Sequence, residues 1–141
     1  MKAARFLPLL LALASLTACA QKKNTKQPSQ QNTNRMDTSK LINPTVKAAF
    51  DAWQKGDQEA FTSFFTADAK LLDDGNPRDF GRFVKDACGH ERFVTIDKVE
   101  NNGLDIYGQF HTESWGDFKT YFKFHPGADG KFTRLDIGQA N

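Results

Sequence analysis

The spacing of apolar residues changes from a helical to an alternating pattern at about Arg92, and this change constrains the fold more than any other feature. Before it, apolar residues recur three and four positions apart, as they do in amphipathic helices. After it, they recur at every second position, as in strands that bury one face. Helices followed by a run of strands predict an α+β domain in which the helices cover one face of a twisted antiparallel sheet.

Three helices are predicted before the pattern changes. The first begins at Asn43-Pro44, an N-cap followed by proline at the first helical position, and ends at Gly56. Asp57 caps the second helix. The third helix follows a turn that starts at Asp74, and this helix ends at Gly89.

The strands are separated by hairpin signals such as Asn101-Asn102-Gly103. One short strand between the helices and four strands after them are predicted, over residues 69–72, 92–100, 104–112, 117–125 and 131–137. Twelve of the thirteen phenylalanines lie within residues 43–141, so this domain has enough apolar surface for a real core.

A register can be predicted for the two middle strands. Their apolar faces both point inward if Phe110 lies opposite Phe122, which also places His111 opposite Tyr121. The outer face then carries amphipathic side chains, namely Tyr107, Gln109, His111, Tyr121 and His125.

The last strand decides whether that outer face suits a homodimer. If Leu135 and Ile137 join the tyrosines outside, they complete an apolar patch of the kind found at dimer interfaces. If they point inward, the patch disappears.

Residues 1–18 have the order of an export signal: Lys2 and Arg5, then an apolar run that is too short for the roughly 20 residues needed to cross a bilayer. The following Leu16-Thr17-Ala18-Cys19 resembles the lipobox of bacterial lipoproteins. That resemblance implies cleavage before Cys19 and attachment of lipid to its thiol. Because Ala20 is not aspartate, it also implies the periplasmic face of the outer membrane within the cell envelope.

Residues 19–42 are almost wholly polar and are predicted to be a flexible tether between the membrane anchor and a domain at 43–141. The tether has five basic residues and one acidic residue. The domain has twelve basic and sixteen acidic residues, a balance that argues against nucleic-acid binding.

The domain resembles the nuclear transport factor 2-like (NTF2-like, or SnoaL-like) superfamily, a cone of three helices wrapped by a curved sheet. The residues that carry the resemblance run from Ala52-Trp53 through Gly56-Asp57 to Phe64-Phe65, Asp68-Ala69 and Asp73. The last hairpin, with Phe122-x-Phe124 and Gly130-Lys131-Phe132, completes the pattern.

Steroid isomerases of that superfamily have a catalytic aspartate at the position that Asp73 occupies. The resemblance also implies two oxyanion donors, and this chain lacks both: Ala49 stands at the tyrosine position, and no carboxyl lies between Phe118 and Phe124. Losing one such donor commonly lowers the rate by about 10²–10³. Steroid-isomerase activity is therefore not expected, and Asp73 and Asp74 are interpreted as turn acids.

Other candidate chemistry is weaker. The three histidines, His90, His111 and His125, do not share a ligand sphere on the predicted register, so no metal site and no cofactor are predicted. His90-Glu91 is interpreted as a solvated turn. Cys88 beside an apolar helix face is interpreted as an inert, buried thiol.

The leading hypothesis is a non-catalytic, membrane-anchored envelope module that binds a small apolar ligand or a protein partner. Its ligand wall would include Trp53, Asp73, Phe110 and Phe122, although Trp53 alone is better interpreted as core. The hypothesis expects no matched proton acceptor and donor in the cavity, and two or more carboxyl, imidazole or phenol groups converging there would contradict its non-catalytic part.

The alternative is an isomerase, cyclase or dehydratase. It would use Asp73 or Asp136 as general base and His111 or Tyr107 as donor, and it requires the two carboxyl groups to face one cavity.

Overall fold

The structure is a computed structural model that describes residues 36–141. The predicted signal segment, the lipidation site Cys19 and the tether up to residue 35 lie outside the described residues. The described chain forms three helices, seven strands and one 3-10 turn, in the order α1 Pro44–Lys55, α2 Gln58–Ser63, β1 Phe65–Asp73, β2 Asn76–Arg78, α3 Phe80–Ala87, β3 Glu91–Phe93, β4 Lys98–Glu100, the 3-10 turn Asn101–Gly103, β5 Asp105–Thr112, β6 Gly116–Pro126 and β7 Phe132–Gln139.

Each helix begins where a side chain accepts hydrogen bonds from otherwise unpaired backbone N–H groups. The Asn43 side chain accepts from two N–H groups in the first turn of α1, and Asp57 and Asp79 cap α2 and α3. Gly56, in the left-handed conformation at φ 71°, ends α1. The sequence prediction of the first two helices is confirmed, and the third begins one short strand later than the turn suggested.

The strands form one curved sheet in the order β2-β1-β7-β6-β5-β3, with β4 also pairing with β5. All pairs are antiparallel except β1 with β7. The predicted α+β class is confirmed, with three helices on an antiparallel-rich sheet. The short strand predicted at 69–72 is longer, because β1 begins at Phe65 and pairs with the last strand of the chain.

The strand predicted at 92–100 is interrupted between β3 and β4. The N–H groups of Val94 and Thr95 both point to the carbonyl oxygen of Gln109, which is the pattern of a β-bulge. The bulge brings the Thr95 carbonyl over Gly108, where a Cβ would lie 2.0 Å from its oxygen. A continuous strand was the wrong prediction here because alternation alone does not reveal a bulge.

The predicted register of β5 and β6 is wrong by four residues. Phe110 lies opposite Phe118, and Tyr107 lies opposite Tyr121. The faces are nevertheless as predicted, with phenylalanines inside and tyrosines outside, because a shift of four preserves the alternation. The short loop after Thr112 sets the pairing, and the aromatic pattern could not determine its length.

Leu135 and Ile137 point inward, with 0% and 7% of their surfaces exposed. They pair with Phe124 and Phe122 on the inner face of β6. The apolar outer patch on which the predicted homodimer depended is therefore not completed by β7.

The folded part extends to the N-terminal side of the predicted boundary at Asn43. Leu41 is buried in the core, and the Lys40 ammonium donates to the carbonyl oxygens of Ile96 and Asp97. None of the helices within residues 36–141 is long and apolar enough to cross a membrane.

Candidate functional site

A cavity of about 670 Å³ opens between α3 and the inner face of the sheet. This volume is within the range of roughly 300–1,000 Å³ that is typical of small-molecule sites. Its inner wall is apolar, and the side chains that form it are Phe83, Phe110, Phe118, Phe122 and Ile137. Four of them come from strands, where every second residue faces the helices, and Phe83 comes from the buried side of α3.

Trp53 forms the layer behind this wall. Its ring lies 5.4 Å from that of Phe83 and 5.3 Å from that of Phe122, and it is 1% exposed. Aromatic pairs of this kind contribute about 0.5–1.5 kcal/mol beyond their buried area. Trp53 therefore supports the cavity wall from the core and does not line the cavity.

Two buried threonines fix the cavity on the strand side. The Thr120 hydroxyl donates to the Gly138 carbonyl oxygen at 2.7 Å and joins β6 to β7. The Thr112 hydroxyl donates to the Gly116 carbonyl oxygen and accepts from the Trp115 N–H at 2.8 Å. The second pair of bonds closes the β5–β6 loop and holds Trp115, which is 82% exposed, at the edge of the cavity.

Acidic side chains line the rim of the cavity. Asp73 and Asp74 come from the end of β1, Asp86 from α3 and Glu91 from β3, and Arg78 of β2 is the single basic residue among the lining residues. Asp73 is paired with Arg78 at 2.5 Å, and Asp74 accepts a hydrogen bond from the Gln139 N–H at 3.0 Å. The expectation that carboxyl groups would not converge in the cavity is wrong.

Glu91 differs from the other acids because, within residues 36–141, its carboxylate has neither a hydrogen-bond partner nor a salt bridge. Burial raises the pKa of Glu91 above its ordinary value, the Asp73 charge raises it further, and the positive charges of Arg78 and His90 act against the rise. This is the lining acid that is least stabilised in its charged form.

The sequence interpretation of Glu91 as part of a solvated turn is also wrong. Glu91 pairs with Thr112 on the inner face of the sheet, two residues before the buried Phe93. The alternation with Phe93 was the signal that could have placed Glu91 inside.

Three of the predicted ligand residues, Asp73, Phe110 and Phe122, line the cavity. The candidate base Asp136 does not. Asp73 pairs with Ile137 on the inner side of the sheet. The preceding pair, Leu72 with Asp136, therefore faces the outer side, because side chains alternate along a strand.

Asp136 is held in an ion cluster on that outer face. The Arg134 guanidinium contacts it at 2.8 Å and 3.0 Å, and the His125 Nε2 lies 2.9 Å from it. His111 is paired with Asp117, and Tyr107 stacks beneath the Lys98 ammonium. Asp73 and Asp136 therefore face opposite sides of the sheet, and the alternative that required both carboxyl groups in one cavity is not supported.

Cys88 is 1% exposed, and burial raises the pKa of its thiol to about 11, with a further contribution from the Asp57 charge. A thiol of this kind is a poor nucleophile at neutral pH. In the described part of the chain, no group of three histidine, cysteine or acidic side chains is placed to hold a metal ion.

The fold is similar to several solved structures. One is an NTF2-like protein of unknown function from Cytophaga hutchinsonii, at TM-score 0.55 and 14% identity, covering 68% of this chain and 87% of that one. Another is a putative polyketide cyclase from Xanthomonas campestris pv. campestris, at TM-score 0.52 and 17% identity, covering 68% and 87%.

A third similar structure is the orange carotenoid protein of Anabaena (Nostoc) sp. binding canthaxanthin, at TM-score 0.53 and 17% identity, covering 67% of this chain and 35% of that one. No family model matches the sequence, and no curated protein matches it in a sequence search. At these identities the likeness concerns the fold alone. The helices, the strand order and these neighbours together show that residues 36–141 have the NTF2-like α+β cone fold.

Proposed function

We propose that this protein is a lipid-anchored component of the bacterial cell envelope whose NTF2-like domain binds a small, largely apolar molecule. The observation that carries the proposal is the cavity of about 670 Å³ with its wall of four phenylalanines and one isoleucine. Four of the five side chains are at most 7% exposed, so Phe118 is the most accessible part of the wall. A ligand that covers the exposed part gains about 25 cal/mol for each Å² of apolar surface removed from water.

The similar structures support this class of ligand. The Anabaena protein binds canthaxanthin, so a protein that contains this fold carries an apolar molecule. The ligand proposed for this chain is smaller or partly exposed, because the cavity is lined on its outer side by charged groups.

Binding is tested with a neutral, polarity-sensitive dye such as Nile red. We expect its emission to increase on addition of the purified protein, and Phe118→Asp to weaken binding at least tenfold, about 1.4 kcal/mol, because it places a charge in the apolar wall.

Val94→Asp is the matched control, since Val94 is an exposed apolar residue that does not line the cavity. Equal binding by both variants, or no emission change with the wild type, would contradict the proposal.

Catalysis is the second candidate, and the convergence of Asp73, Arg78 and Glu91 in one cavity favours it. Burial raises the pKa of Glu91, the direction that a general acid needs, and Asp73 is a second carboxyl in the same cavity. This pair replaces the earlier set that included Asp136.

The catalytic candidate is tested by proton exchange. A panel of cyclic ketones is incubated with the protein in D₂O, and deuterium incorporation beside the carbonyl is followed by NMR. We expect exchange that is lost in both Asp73→Asn and Glu91→Gln if these groups transfer protons. Exchange no faster than in buffer would remove this candidate for the tested ketones.

The membrane anchor is a separate part of the proposal, and it is supported by the Leu16–Cys19 sequence. We expect Cys19→Ala to release the protein from the membrane fraction, because the variant lacks the thiol that would carry the lipid, and stable attachment needs at least two acyl chains. Retention of this variant would contradict lipidation. Density-gradient separation of inner and outer membranes tests the proposed outer-membrane location.

A further inference from the structure

The charge of the cavity lining bears on which apolar molecules can enter it. Four carboxyl groups and one guanidinium line the cavity, so its formal charge is negative. An anionic ligand would be repelled from such a rim, and a cation would be attracted to it. The inference below rests on the proposed ligand-binding function.

The pairing of these carboxyl groups singles out one of them. Arg78 neutralises Asp73, and a backbone N–H satisfies one oxygen of Asp74. Asp86 lies 3.6 Å from Arg82 at the exposed surface of α3. Glu91 alone is both partly buried and without a partner in the described chain, although Arg78 and His90 are near enough to influence it.

Glu91 is only partly buried, so water solvates its carboxylate in the free protein, and a ligand that covers the carboxylate must replace that water with a donor. Glu91 lies on the same inner face as Phe110 and Phe93, so a ligand resting on the phenylalanine wall reaches its carboxylate. A ligand that carries a charged N–H donor would supply the missing partner.

Trp115 is an independent observation that points to the same chemistry. Trp115 is 82% exposed, and its backbone N–H donates to the Thr112 hydroxyl, which keeps the residue at the edge of the cavity. Exposed aromatic faces beside carboxylates are the usual elements of sites for organic cations, because the face of an indole ring attracts positive charge.

We propose that the cavity binds an organic cation, a molecule with an apolar body of roughly drug size or smaller and one amine or ammonium group. The apolar body packs on Phe110, Phe118 and Phe122. The ammonium group is placed between the Glu91 carboxylate and the Trp115 ring, where charge attraction and the aromatic face both favour it.

The test compares three probes with the same eight-carbon chain: octylammonium, octan-1-ol and octanoate. Each displaces Nile red from the purified protein at one fixed salt concentration. We expect octylammonium to bind about tenfold more tightly than octan-1-ol, the size expected for one hydrogen bond to a charged group, and octanoate to bind most weakly.

Glu91→Gln should remove the preference for octylammonium over octan-1-ol. Glu59→Gln is the control, because Glu59 is an exposed acid of α2 that does not line the cavity. Trp115→Ser should weaken binding of octyltrimethylammonium, which has no N–H, while Trp115→Phe keeps most of it.

The outcomes separate this inference from the function on which it rests. Equal binding of the three probes, tightest binding of octanoate, or an unchanged preference in Glu91→Gln overturns the inference and leaves apolar-ligand binding intact. Failure of Nile red and all three probes to bind the wild-type protein overturns both.

Discussion

Glu91 is a residue whose position opposes stability. Because its pKa is raised in the folded state, the folded chain binds this proton more tightly than the unfolded chain does. Its favourable contribution is present below the unfolded pKa of about 4.3 and is lost as the pH rises through the folded value. The groups that face it are Asp73, Arg78, Asp86 and His90.

Replacing Glu91 should therefore stabilise the protein at neutral pH. We expect Glu91→Gln to raise the free energy of unfolding at pH 7, and the gain to disappear at acidic pH well below the unfolded pKa of about 4.3, where both states are protonated. Urea unfolding at several pH values measures this difference. A loss of stability at pH 7 would show that Glu91 has a structural partner.

Cys88 provides a second prediction at the level of a single residue. Its buried thiol, with a pKa of about 11, should not react with a thiol reagent such as 5,5′-dithiobis(2-nitrobenzoate) at pH 8 in the folded protein. Full reaction is expected in concentrated urea. Rapid labelling of the native form of the Cys19→Ala variant would contradict the described burial.

The β-bulge between β3 and β4 determines what position 108 can accommodate. A Cβ at Gly108 would lie 2.0 Å from the Thr95 carbonyl oxygen, which belongs to the backbone and cannot rotate away. We expect Gly108→Ala to destabilise the fold by about 2 kcal/mol or more, as overpacking does in a well-packed site. Chemical denaturation monitored by circular dichroism measures the loss.

Gly81 in α3 is the matched control for that substitution. A Cβ there would meet only a side-chain oxygen of Asp79 at 3.6 Å, an ordinary contact. Gly81→Ala should stabilise α3 by roughly 0.5–1 kcal/mol, since glycine is unfavourable inside a helix. If both variants behaved alike, the close approach of Thr95 to Gly108 would be refuted.

The elements differ in how far the sequence could predict them. The helices were predictable because caps such as Asn43 and Asp57 and the stop at Gly56 act within a few residues. The inner and outer faces of β5 and β6 followed from alternation. Their register did not, because shifts by two or four residues keep every phenylalanine inside and only the loop geometry distinguishes them.

The site was predictable only in part, for the same physical reason. Asp73, Phe110 and Phe122 were identified because the family resemblance and the alternation both pointed to the cone interior. Glu91 was missed because a charged residue in a three-residue strand beside Gly89 resembles a turn. Asp136 was wrongly considered as a general base because the sequence does not show which face of β7 points inward. Its ion pair with Arg134 forms on the outer face of that strand.

The whole molecule should respond to its ligand through a higher free energy of unfolding. A ligand that binds only the folded state adds about 2.7 kcal/mol when its free concentration is 100 times its dissociation constant. We therefore expect octylammonium to raise the thermal midpoint of wild-type protein more than that of Glu91→Gln, measured by calorimetry. Identical shifts in the two proteins would argue against a role for Glu91.

The parallel pairing of β1 with β7 joins distant parts of the chain, with Phe65 opposite Phe132. During synthesis, β1 leaves the ribosome long before the strand that it needs as a neighbour exists. The central part of the sheet therefore assembles only after β7 has been synthesised, and such non-local pairing slows folding. In the lipid-anchored role that we propose, the chain would cross a membrane before it folds, and late closure of the sheet would leave time for that crossing.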